Sequence, residues 1–479
     1  MADGVEINAQ TGLRRVGVHR PFPTGPSTFA EIWTARDPAS LAVIDGERVW
    51  RTNELRAEVD RVARSLAARG VRPHDRIAWI LGNDVTSLIS LLATVRADAT
   101  WVGVSHRATG AERQELIDDA EPAAVFDALP DDDLDAALGA DPPPNARAAI
   151  AYTSGTTGRP KGAVHTQQQL LYPAAAAIAT EGLDSTARIG TPLPLSTLNI
   201  ALLGPLTALA CGGVAVMLRQ TDGVGFAADV AEHRLTRALV VPTIVHDLVA
   251  AEVDPAQLGS LERLIMGGAG FDRQRAAAAQ ATLGIPLVAS YGLSEAPTGV
   301  ARMVVGDHGA RPLPGIDVRI EDDGEITLAA TDSGPWARCW QGALGYWRRP
   351  DLTTRLWRGG RLHTDDAGTL DDDGRLLVTG RVGDMINRGG ATIAPAEVEA
   401  VLLAVPEVTD AAVFGIAHER LGQVVAAAVV GDVDLDTLRT TVRASLSGYK
   451  VPERWIGLPR LPRNANGKVD REALRSGLG

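Results

Sequence analysis

Residues that could bind an oligophosphate are concentrated in one stretch, which reads Tyr152-Thr-Ser-Gly-Thr-Thr-Gly-Arg-Pro-Lys-Gly162. Glycine lets backbone N–H groups converge on one concavity, hydroxyls add hydrogen-bond donors, and lysine adds a mobile positive charge. The stretch is not a Walker loop, because Lys161 is followed by glycine and not by serine or threonine. A flexible surface loop is the competing interpretation, and the Pro-Lys-Gly ending argues against it. The candidate phosphate-binding residues are Thr153, Ser154, Gly155, Thr156, Thr157, Gly158 and Lys161.

Further residues that could take part in binding or catalysis follow in five short runs. Taken singly, each run has an ordinary explanation: a tight glycine turn with positive φ, a surface carboxylate, or a solvated lysine. Taken together, they offer a flat aromatic face, hydroxyl donors, a mobile lysine and the hard carboxylate oxygens that Mg²⁺ prefers. The runs are Gly267-Gly-Ala-Gly270, Ser290-Tyr-Gly-Leu-Ser-Glu295, Leu362-His-Thr-Asp-Asp366, Gly380-Arg-Val-Gly-Asp384 and Pro462-Arg-Asn-Ala-Asn-Gly-Lys468.

In this order, the motifs resemble those of the adenylate-forming superfamily, which includes acyl- and aryl-CoA ligases, peptide-synthetase adenylation domains and beetle luciferases. The resemblance extends from about Phe29 to Leu474. It implies an AMP-forming acyl-CoA ligase that uses ATP, Mg²⁺ and coenzyme A. It also implies an α/β fold with two parts. The larger N-terminal domain has several subdomains with mixed sheets, helices and a distorted β-barrel, and the C-terminal domain is small, mobile and α+β.

The resemblance also implies a role for each run. Glu295 is the metal ligand, Ser294 a donor to the α-phosphate, and Lys468 the catalytic lysine that bridges carboxylate and phosphate. Asp384 occupies the hinge position. The nucleotide would contact Gly268, Ala269, Ser290, Tyr291, Gly292, Asp366 and Arg381, and the pantetheine of coenzyme A would pass Gly389 and Gly390.

Three positions depart from the pattern of the superfamily. Ser294 replaces threonine but keeps the hydroxyl, and Ala391 stands where glutamate is common. Asp365 replaces a glycine, which places an extra carboxylate beside a triphosphate site. A solvent-facing side chain is the expectation for this residue.

The acid pocket is predicted from dispersed segments. Peptide-synthetase relatives carry an aspartate that pairs with a substrate ammonium, whereas the stretch Leu195-Ser-Thr-Leu-Asn199 has no carboxylate. A buried ammonium without a counter-charge is costly, so the expected substrate is a hydrophobic, non-amino carboxylic acid. His246 is either a polar group of this pocket or an ordinary, partly buried histidine. The candidate pocket residues are Leu195, Ser196, Thr197, Asn199, His246, Gly267 and Gly270.

Length and composition restrict the range of functions. A chain of 479 residues is too long to fold around one hydrophobic core. We expect two domains, at 1–383 and 384–479. The net charge of −12 argues against nucleic-acid and anionic-membrane partners. Two cysteines without metal spacing indicate a reduced, cytoplasmic protein. The uncharged segment Leu198 to Leu218 has the length of a membrane span, but Gly204-Pro205 and Gly212-Gly213 should break it into a short helix and a strand.

Local patterns predict the elements that carry these motifs. A helix follows Thr52, its expected cap, with apolar residues at helical spacing before Gly70. Strand, helix and strand then alternate over 76–104, which predicts a parallel α/β unit. Further strands are expected at Ile189–Leu195 and Leu287–Ala289, and the last 96 residues alternate helices with strands.

The implied reaction has two halves. A carboxylate attacks the α-phosphorus of ATP and releases pyrophosphate; a thiol then displaces AMP from the acyl-adenylate. A rotation of the small domain at Asp384 would exchange Lys468 for the loop that contains Gly389. The expected partners are a small carboxylic acid and free CoA, with a discrete acyl carrier protein as a second candidate acceptor. Two rival hypotheses are an enzyme that performs only the thiolation half and a nucleotide-binding scaffold without enzymatic activity.

Overall fold

The structure is a computed structural model that describes residues 6–16, 20–132, 136–154, 160–220, 222–267, 273–388, 391–463 and 469–477. The chain forms two compact units. The first unit comprises Met1–Gly268, Ala279–Asp317 and Leu328–His363, and the second comprises Ala269–Ala278, Val318–Thr327 and Thr364–Gly479. The boundary expected between residues 383 and 384 stays a prediction.

A nine-stranded mixed sheet is the largest element of the first unit. Its six consecutive central strands are parallel, and antiparallel strands close both edges. In spatial order the strands are Arg311–Pro312, Ala296–Val304, Leu287–Leu293, Arg263–Met266, Arg237–Val240, Arg188–Thr191, Val214–Met217, Leu41–Asp45 and Arg48–Arg51.

A six-stranded sheet in the same unit contains the phosphate stretch. Four of its strands are parallel, as the alternating pattern predicted, and two strands in antiparallel pairing, Gly345–Tyr346 and Pro160–Thr166, extend the sheet at one edge. In spatial order the strands are Gly345–Tyr346, Pro160–Thr166, Arg147–Ser154, Thr100–Gly103, Arg76–Trp79 and Ala124–Phe126.

Helices cover these sheets. In the helix Thr52–Ala68, Leu55, Val59, Val62 and Leu66 are buried at the predicted spacing. The helix Val85–Arg96 begins where the Asp84 carboxylate accepts a hydrogen bond from the N–H of Thr86. The other α-helices of this unit are Phe29–Thr34, Gly110–Ala120, Gln167–Glu181, Leu198–Ala201, Thr207–Ala210, Gly223–His233, Pro242–Ala250 and Pro350–Leu356.

The second unit has an α+β core. An antiparallel hairpin pairs Val408–His418 with Gly422–Gly431, and apolar residues pack on both faces of it. Its sheet is completed by Ile386–Arg388, Ala391–Ile393 and Arg454–Gly457. Its helices are Pro395–Leu403, Leu435–Ser445 and Arg471–Ser476. Other described elements are the helix Arg273–Leu283 and the strands Ile316–Ile320, Glu325–Ala330, Trp357–Arg358, Arg361–Leu370 and Leu376–Arg381.

Three local expectations were wrong in detail. Thr52 is the first residue of its helix and not the cap, because its hydroxyl accepts a hydrogen bond from the buried Arg36 at 3.1 Å. The strand expected at 189–195 ends at Thr191, and the strand expected at 287–289 extends to Leu293. The α/β class, with mixed sheets in a large first part and a small second part, is confirmed.

The uncharged segment from Leu198 to Leu218 is more continuous than predicted. Helical backbone runs from Leu198 to Ala210, because a wider π-helical turn at Leu202–Leu206 accommodates the missing N–H of Pro205. The strand Val214–Met217 follows. Among the described residues, no helix combines the length and the apolar character needed to cross a membrane.

A buried ionic cluster joins elements of the large sheet. The carboxylate of Glu181, at the end of its helix, contacts the guanidinium groups of Arg237, Arg263 and Arg302. Arg237 is 3% exposed and Glu181 is 8% exposed. Burial alone raises the pKa of Glu181, but the three arginines together hold it below its ordinary value. One carboxylate therefore neutralises charge from three different strands.

Replacing Glu181 with glutamine should destabilise the protein strongly. The substitution keeps the shape but leaves buried guanidinium groups without a counter-charge, which costs about 3–5 kcal/mol. The measurement is the free energy of unfolding in denaturant, together with the midpoint of thermal unfolding.

Glu262→Gln provides the matched control. Glu262 contacts Arg237 at 3.4 Å in the same cluster, but it is 55% exposed, so its loss should cost less than about 1 kcal/mol. Because the pKa of Glu181 is lowered on folding, its contribution is present above the ordinary carboxylate pKa and is lost as the pH falls through the folded value. Equal destabilisation by the two variants would contradict this role of Glu181.

Candidate active site

The two residues predicted to contact the α-phosphate and the metal form one tight turn. The strands Leu287–Leu293 and Ala296–Val304 pair antiparallel, and Ser294 and Glu295 connect them. Both turn residues are half-buried. Hereafter Ser294 and Glu295 are called the metal turn.

The Glu295 carboxylate is held from one side. Its Oε1 accepts a hydrogen bond of 2.6 Å from the hydroxyl of Tyr346, and its backbone carbonyl accepts one of 2.7 Å from the N–H of Ala343. Both donors belong to the segment Gly342–Tyr346, hereafter the bridging segment. Orientation of Glu295 is therefore set by residues remote from it in sequence.

The bridging segment also pairs with the strand that leaves the phosphate stretch. The N–H of Leu344 donates to the carbonyl of Val164, and the N–H of Trp347, the residue after the segment, donates to that of Gly162, both at 2.8 Å. The ammonium of Lys161 lies 5.9 Å from the centre of the Tyr346 ring. Tyr346 thus contacts the metal turn through its hydroxyl and lies beside the phosphate-stretch lysine through its ring.

His165 links the phosphate strand to the metal turn directly. Its Nε2 lies 2.6 Å from the carbonyl oxygen of Ser294. A carbonyl can only accept, so Nε2 carries the hydrogen and donates it. Burial lowers the pKa of His165 to about 4, so the imidazole is neutral at pH 7. It fixes the turn without adding charge to the site.

Gln169 makes a second link, from the first turn of the helix Gln167–Glu181. Its Oε1 accepts from the N–H of Thr166 at 3.0 Å, while the Thr166 hydroxyl accepts from the N–H of Gln169, which forms a capping box. The amide Nε2 of Gln169 then donates to the carbonyl of Gly342 at 2.9 Å. The helix start and the bridging segment are therefore joined.

The residues of the metal turn suit a Mg²⁺ ion that takes most of its ligands from substrate and water. They do not suit a metal site built from protein side chains alone. The described residues contain no cluster of three or more His, Cys, Asp or Glu side chains able to hold a metal. Mg²⁺ commonly binds through one or two carboxylates, with substrate phosphates and water as the remaining ligands. Tyr346 engages one carboxylate oxygen of Glu295, and within the described residues the other oxygen has no hydrogen-bond partner.

Three of the predicted nucleotide contacts also lie on this hairpin. Ser290 and Tyr291 are half-buried on the strand that leads to the metal turn, and Gly292 is exposed. The hydroxyl of Ser290 is buried without a hydrogen-bond partner among the described residues. A buried hydroxyl usually has a partner, so this one is available to a ligand.

The predicted ribose contacts are paired in the second unit. Asp366 and Arg381 lie opposite each other on adjacent strands, and the Arg381 Nε is 2.8 Å from the Asp366 Oδ1. Asp365 is exposed, with a φ of +57°. This left-handed conformation favours glycine, and aspartate is one of the few other residues that tolerate it. The substitution at 365 is thus sterically permitted.

Asp384, the predicted hinge, lies within an ionic network of the second unit. Its carboxylate lies 3.8 Å from Arg471 and 3.6 Å from Arg475, both on the helix Arg471–Ser476. Arg471 also binds Glu399 at 2.7 Å. The role of Asp384 as a hinge stays a prediction.

The predicted acid-pocket residues differ in exposure. Leu195 is buried, Ser196, Asn199 and Gly267 are half-buried, and Thr197 is exposed. His246 is exposed on the helix Pro242–Ala250, so the interpretation as a partly buried histidine is wrong and its pocket role stays a prediction.

Several predicted site residues lie outside the described residues. For Thr153 and Ser154 only the side chains are outside, because their backbone forms the strand that pairs with Pro160 and Lys161. The remaining members are Gly155, Thr156, Thr157, Gly158, Gly268, Ala269, Gly270, Gly389, Gly390 and Lys468.

Sequence reasoning missed three residues that position the metal turn. Tyr346 was visible only as part of a Gly-Tyr-Trp turn, and its distance of 51 positions from Glu295 gave no signal of contact. His165 and Gln169 follow the phosphate stretch immediately, where they resemble ordinary strand and helix residues. The available clue was a histidine within an apolar strand, three residues after the predicted phosphate stretch.

Comparisons with known proteins identify the family of the chain. The model of AMP-binding enzymes matches residues 30–141 and 128–334, and the model of their C-terminal domain matches residues 397–468. Feruloyl-CoA synthase of Amycolatopsis is 32% identical over 92% of this chain and 96% of its own length. Indoleacetate–CoA ligase of Aromatoleum aromaticum is 29% identical over 92% and 95%, respectively.

Among solved structures, o-succinylbenzoate CoA synthetase of Bacillus subtilis, in complex with its acyl-adenylate intermediate, is similar to this chain. The TM-score is 0.82 and the sequence identity is 25%, over 94% of this chain and 98% of the other. The resemblance inferred from the motifs is confirmed.

Replacing Tyr346 with phenylalanine should weaken the response to magnesium. The variant keeps the ring but loses the hydrogen bond to a charged carboxylate, which is worth about 1.5–3 kcal/mol. We expect the Mg²⁺ concentration for half-maximal ATP consumption to rise about tenfold or more.

Tyr172→Phe is the matched control, because the Tyr172 hydroxyl donates to a backbone carbonyl, that of Pro314, at 3.0 Å. It should leave the magnesium dependence unchanged even if stability falls. An unaltered magnesium dependence in Tyr346→Phe would show that this hydroxyl does not position Glu295.

Proposed function

The chain belongs to the AMP-binding enzyme family and is an AMP-forming acyl-CoA ligase, and we propose that its acid is a hydrophobic, aryl-substituted carboxylic acid without an α-amino group. One observation supports the adenylation chemistry most strongly. Tyr346 lies beside the phosphate-stretch lysine and donates to the predicted metal carboxylate, Glu295.

The use of lysine in the chain supports the roles proposed for Lys161 and Lys468. Of 47 lysines and arginines, only Lys161, Lys450 and Lys468 are lysines. Arginine thus serves wherever a general positive charge is needed. Lysine offers a compact charge with rotatable donors, which can follow a phosphate or carboxylate as it moves during reaction. Lys450 has another partner, since its ammonium lies 2.6 and 2.7 Å from the Glu397 carboxylate oxygens.

The substrate class rests on the pocket stretch and on the relatives. No residue from Leu195 to Asn199 is acidic, so an α-ammonium would lack a counter-charge there. Leu195 is fully buried, and Gly267 adds no side-chain volume. Ferulate and indoleacetate, after which two similar enzymes are named, both carry an aromatic ring. An aryl acid therefore fits this chain better than an amino acid.

The residues of the site would act in order. The backbone donors of the phosphate stretch and Lys161 would bind the phosphates, and Ser294 would donate to the α-phosphate. Glu295, oriented by Tyr346, would hold Mg²⁺, which when bound neutralises developing phosphate charge. Lys468 would bring the acid carboxylate and the α-phosphate together, so that the carboxylate oxygen bonds to phosphorus and pyrophosphate leaves.

In the second half of the reaction, the thiol sulfur of CoA would bond to the acyl carbon, and AMP would leave with the electron pair. Asp366 and Arg381, paired at 2.8 Å, would hold the ribose of this leaving group. Gly389 and Gly390 would allow the pantetheine arm to approach the backbone closely. A discrete carrier protein carries the same pantetheine thiol and is the second candidate acceptor.

The first test is a substrate panel. Incubation with ATP, Mg²⁺ and CoA should release AMP with aryl-substituted acids such as cinnamic or arylacetic acids, and not with α-amino acids. A holo carrier protein offered beside CoA distinguishes the two acceptors. If only α-amino acids support exchange of pyrophosphate into ATP, the substrate class is wrong; if only the carrier is acylated, the acceptor is wrong.

The second test separates the two half-reactions. Lys468→Ala should reduce adenylate formation by about a hundredfold or more, the typical cost of one charge-stabilising donor, and spare thiolation of a supplied acyl-adenylate. Lys450→Ala, which removes the lysine paired with Glu397, should behave like the wild type in both assays.

An amine-reactive mass label gives a readout besides activity, because there are only three lysines. A non-hydrolysable adenylate analogue should protect Lys161 and Lys468 and leave Lys450 as the internal reference. Equal loss of both half-reactions in Lys468→Ala, or no protection of Lys468, would refute its proposed role.

A further inference from the structure

The segment 6–16 precedes the part of the chain matched by the family model, which begins at residue 30. It nevertheless belongs to the first compact unit, and a β-bridge between Ile7 and Arg14 closes it into a small turn. Its contacts fall on the bridging segment, the stretch that holds Glu295, and on the residues that follow it.

Arg14 makes the central contact. Its guanidinium Nη2 donates to the carbonyl of Gly342 at 3.2 Å and its Nε donates to that of Ala343 at 3.3 Å. Its backbone N–H donates to the carbonyl of Leu344 at 2.8 Å. The guanidinium also lies over the ring of Trp357, 3.6 Å from the ring centre. A planar, stacked fork that bonds two successive carbonyls is a geometry that lysine cannot reproduce.

The peptide groups held by Arg14 are those that reach the metal turn. The N–H of Ala343 donates to the carbonyl of Glu295 at 2.7 Å. The carbonyl of Gly342 accepts from Gln169 as well as from Arg14. Displacement of these peptide groups would therefore move the Ala343 N–H that is bonded to the Glu295 carbonyl.

Gly12 makes the second contact, near Tyr346. Its carbonyl accepts from the hydroxyl of Thr353 at 2.6 Å, and this same hydroxyl accepts from the N–H of Tyr346 at 2.9 Å. Gly12 has a φ of +71°, and a Cβ there would lie 2.7 Å from the carbonyl oxygen of Tyr346. Only glycine fits, so the turn and the bridging segment are in tight contact at this point.

We propose that residues 6–16 form a strap that fixes the bridging segment against the metal turn, and that Arg14 is its positioning residue. Arg14 acts through the peptide groups of Gly342 and Ala343, whereas Gly12 acts on Tyr346 through Thr353. The kinetic consequence rests on the function proposed above for Glu295, whereas the structural consequence does not.

Amide hydrogen exchange tests the strap independently of any substrate. In Arg14→Ala, the amides of Ala343 and Leu344 should exchange about tenfold faster, since each charge-assisted hydrogen bond lost weakens the segment. Arg15→Ala is the matched control: it removes the same charge from an exposed neighbour and should leave these amides as in the wild type. Unchanged exchange in Arg14→Ala, or equal acceleration in Arg15→Ala, overturns the proposal.

Kinetics and chemical rescue test the consequence for catalysis. Arg14→Ala should lower kcat of adenylate formation about tenfold and raise the Mg²⁺ requirement, with a smaller change in the KM for the acid. Millimolar guanidinium should restore part of the rate by filling the space on Trp357, and methylammonium should not. Absence of rescue together with normal magnesium dependence counts against Arg14 as a positioning residue.

Two further variants keep the test decisive if Arg14→Ala folds poorly. Arg14→Lys retains the charge and loses the fork, so it should resemble Arg14→Ala in amide exchange. Gly12→Ala should accelerate exchange at Tyr346 by steric displacement. Wild-type exchange rates in both variants would refute the strap. Failure of the wild type to adenylate any acid would instead refute the proposed function and leave the exchange result standing.

Discussion

The active-site framework depends on one hydrogen bond, from the hydroxyl of Tyr346 to the carboxylate of Glu295 at 2.6 Å. A carboxylate at the tip of a two-residue turn has several rotamers, whereas a metal ligand must present its oxygen at a fixed place. Tyr346 removes that freedom while its ring lies beside Lys161. The predicted cation ligand and the predicted phosphate donor are thereby placed relative to the same aromatic side chain.

His165 and Gln169, which link the phosphate strand and its helix to the metal turn and the bridging segment, add no net charge. His165 is buried and neutral, with its pKa lowered to about 4, and Gln169 acts through an uncharged amide. If the site receives a triphosphate and Mg²⁺ as proposed, neutral groups at the metal turn leave the charge there to those ligands. His165 and Gln169 therefore act through dipoles, whereas the charge of Arg14 acts one step away, on the bridging segment.

Much of the fold and part of the site could be predicted from the sequence, for identifiable physical reasons. Ser294, Glu295, Asp366 and Arg381 lie in short contiguous motifs, so resemblance to a known family marked them as candidates, whereas the pairing of Asp366 with Arg381 was not predicted. Tyr346 was missed because its contact depends on the pairing of strands far apart in the chain. The tolerance of Asp365 depends on a φ of +57°, a backbone angle that the residue type does not reveal, and the cap at Thr52 failed because the buried Arg36 required its hydroxyl.

The cluster of Glu181 with Arg237, Arg263 and Arg302 has a consequence for how this chain can diverge. Four side chains from separate stretches share one balance of charge, so a change at one of them alters the cost of keeping the rest. Substitutions at these positions should therefore occur together. A homologue that lacks the carboxylate at position 181 should also lack one or more of the three arginines. The four positions should thus covary, although no two of them are adjacent in the sequence.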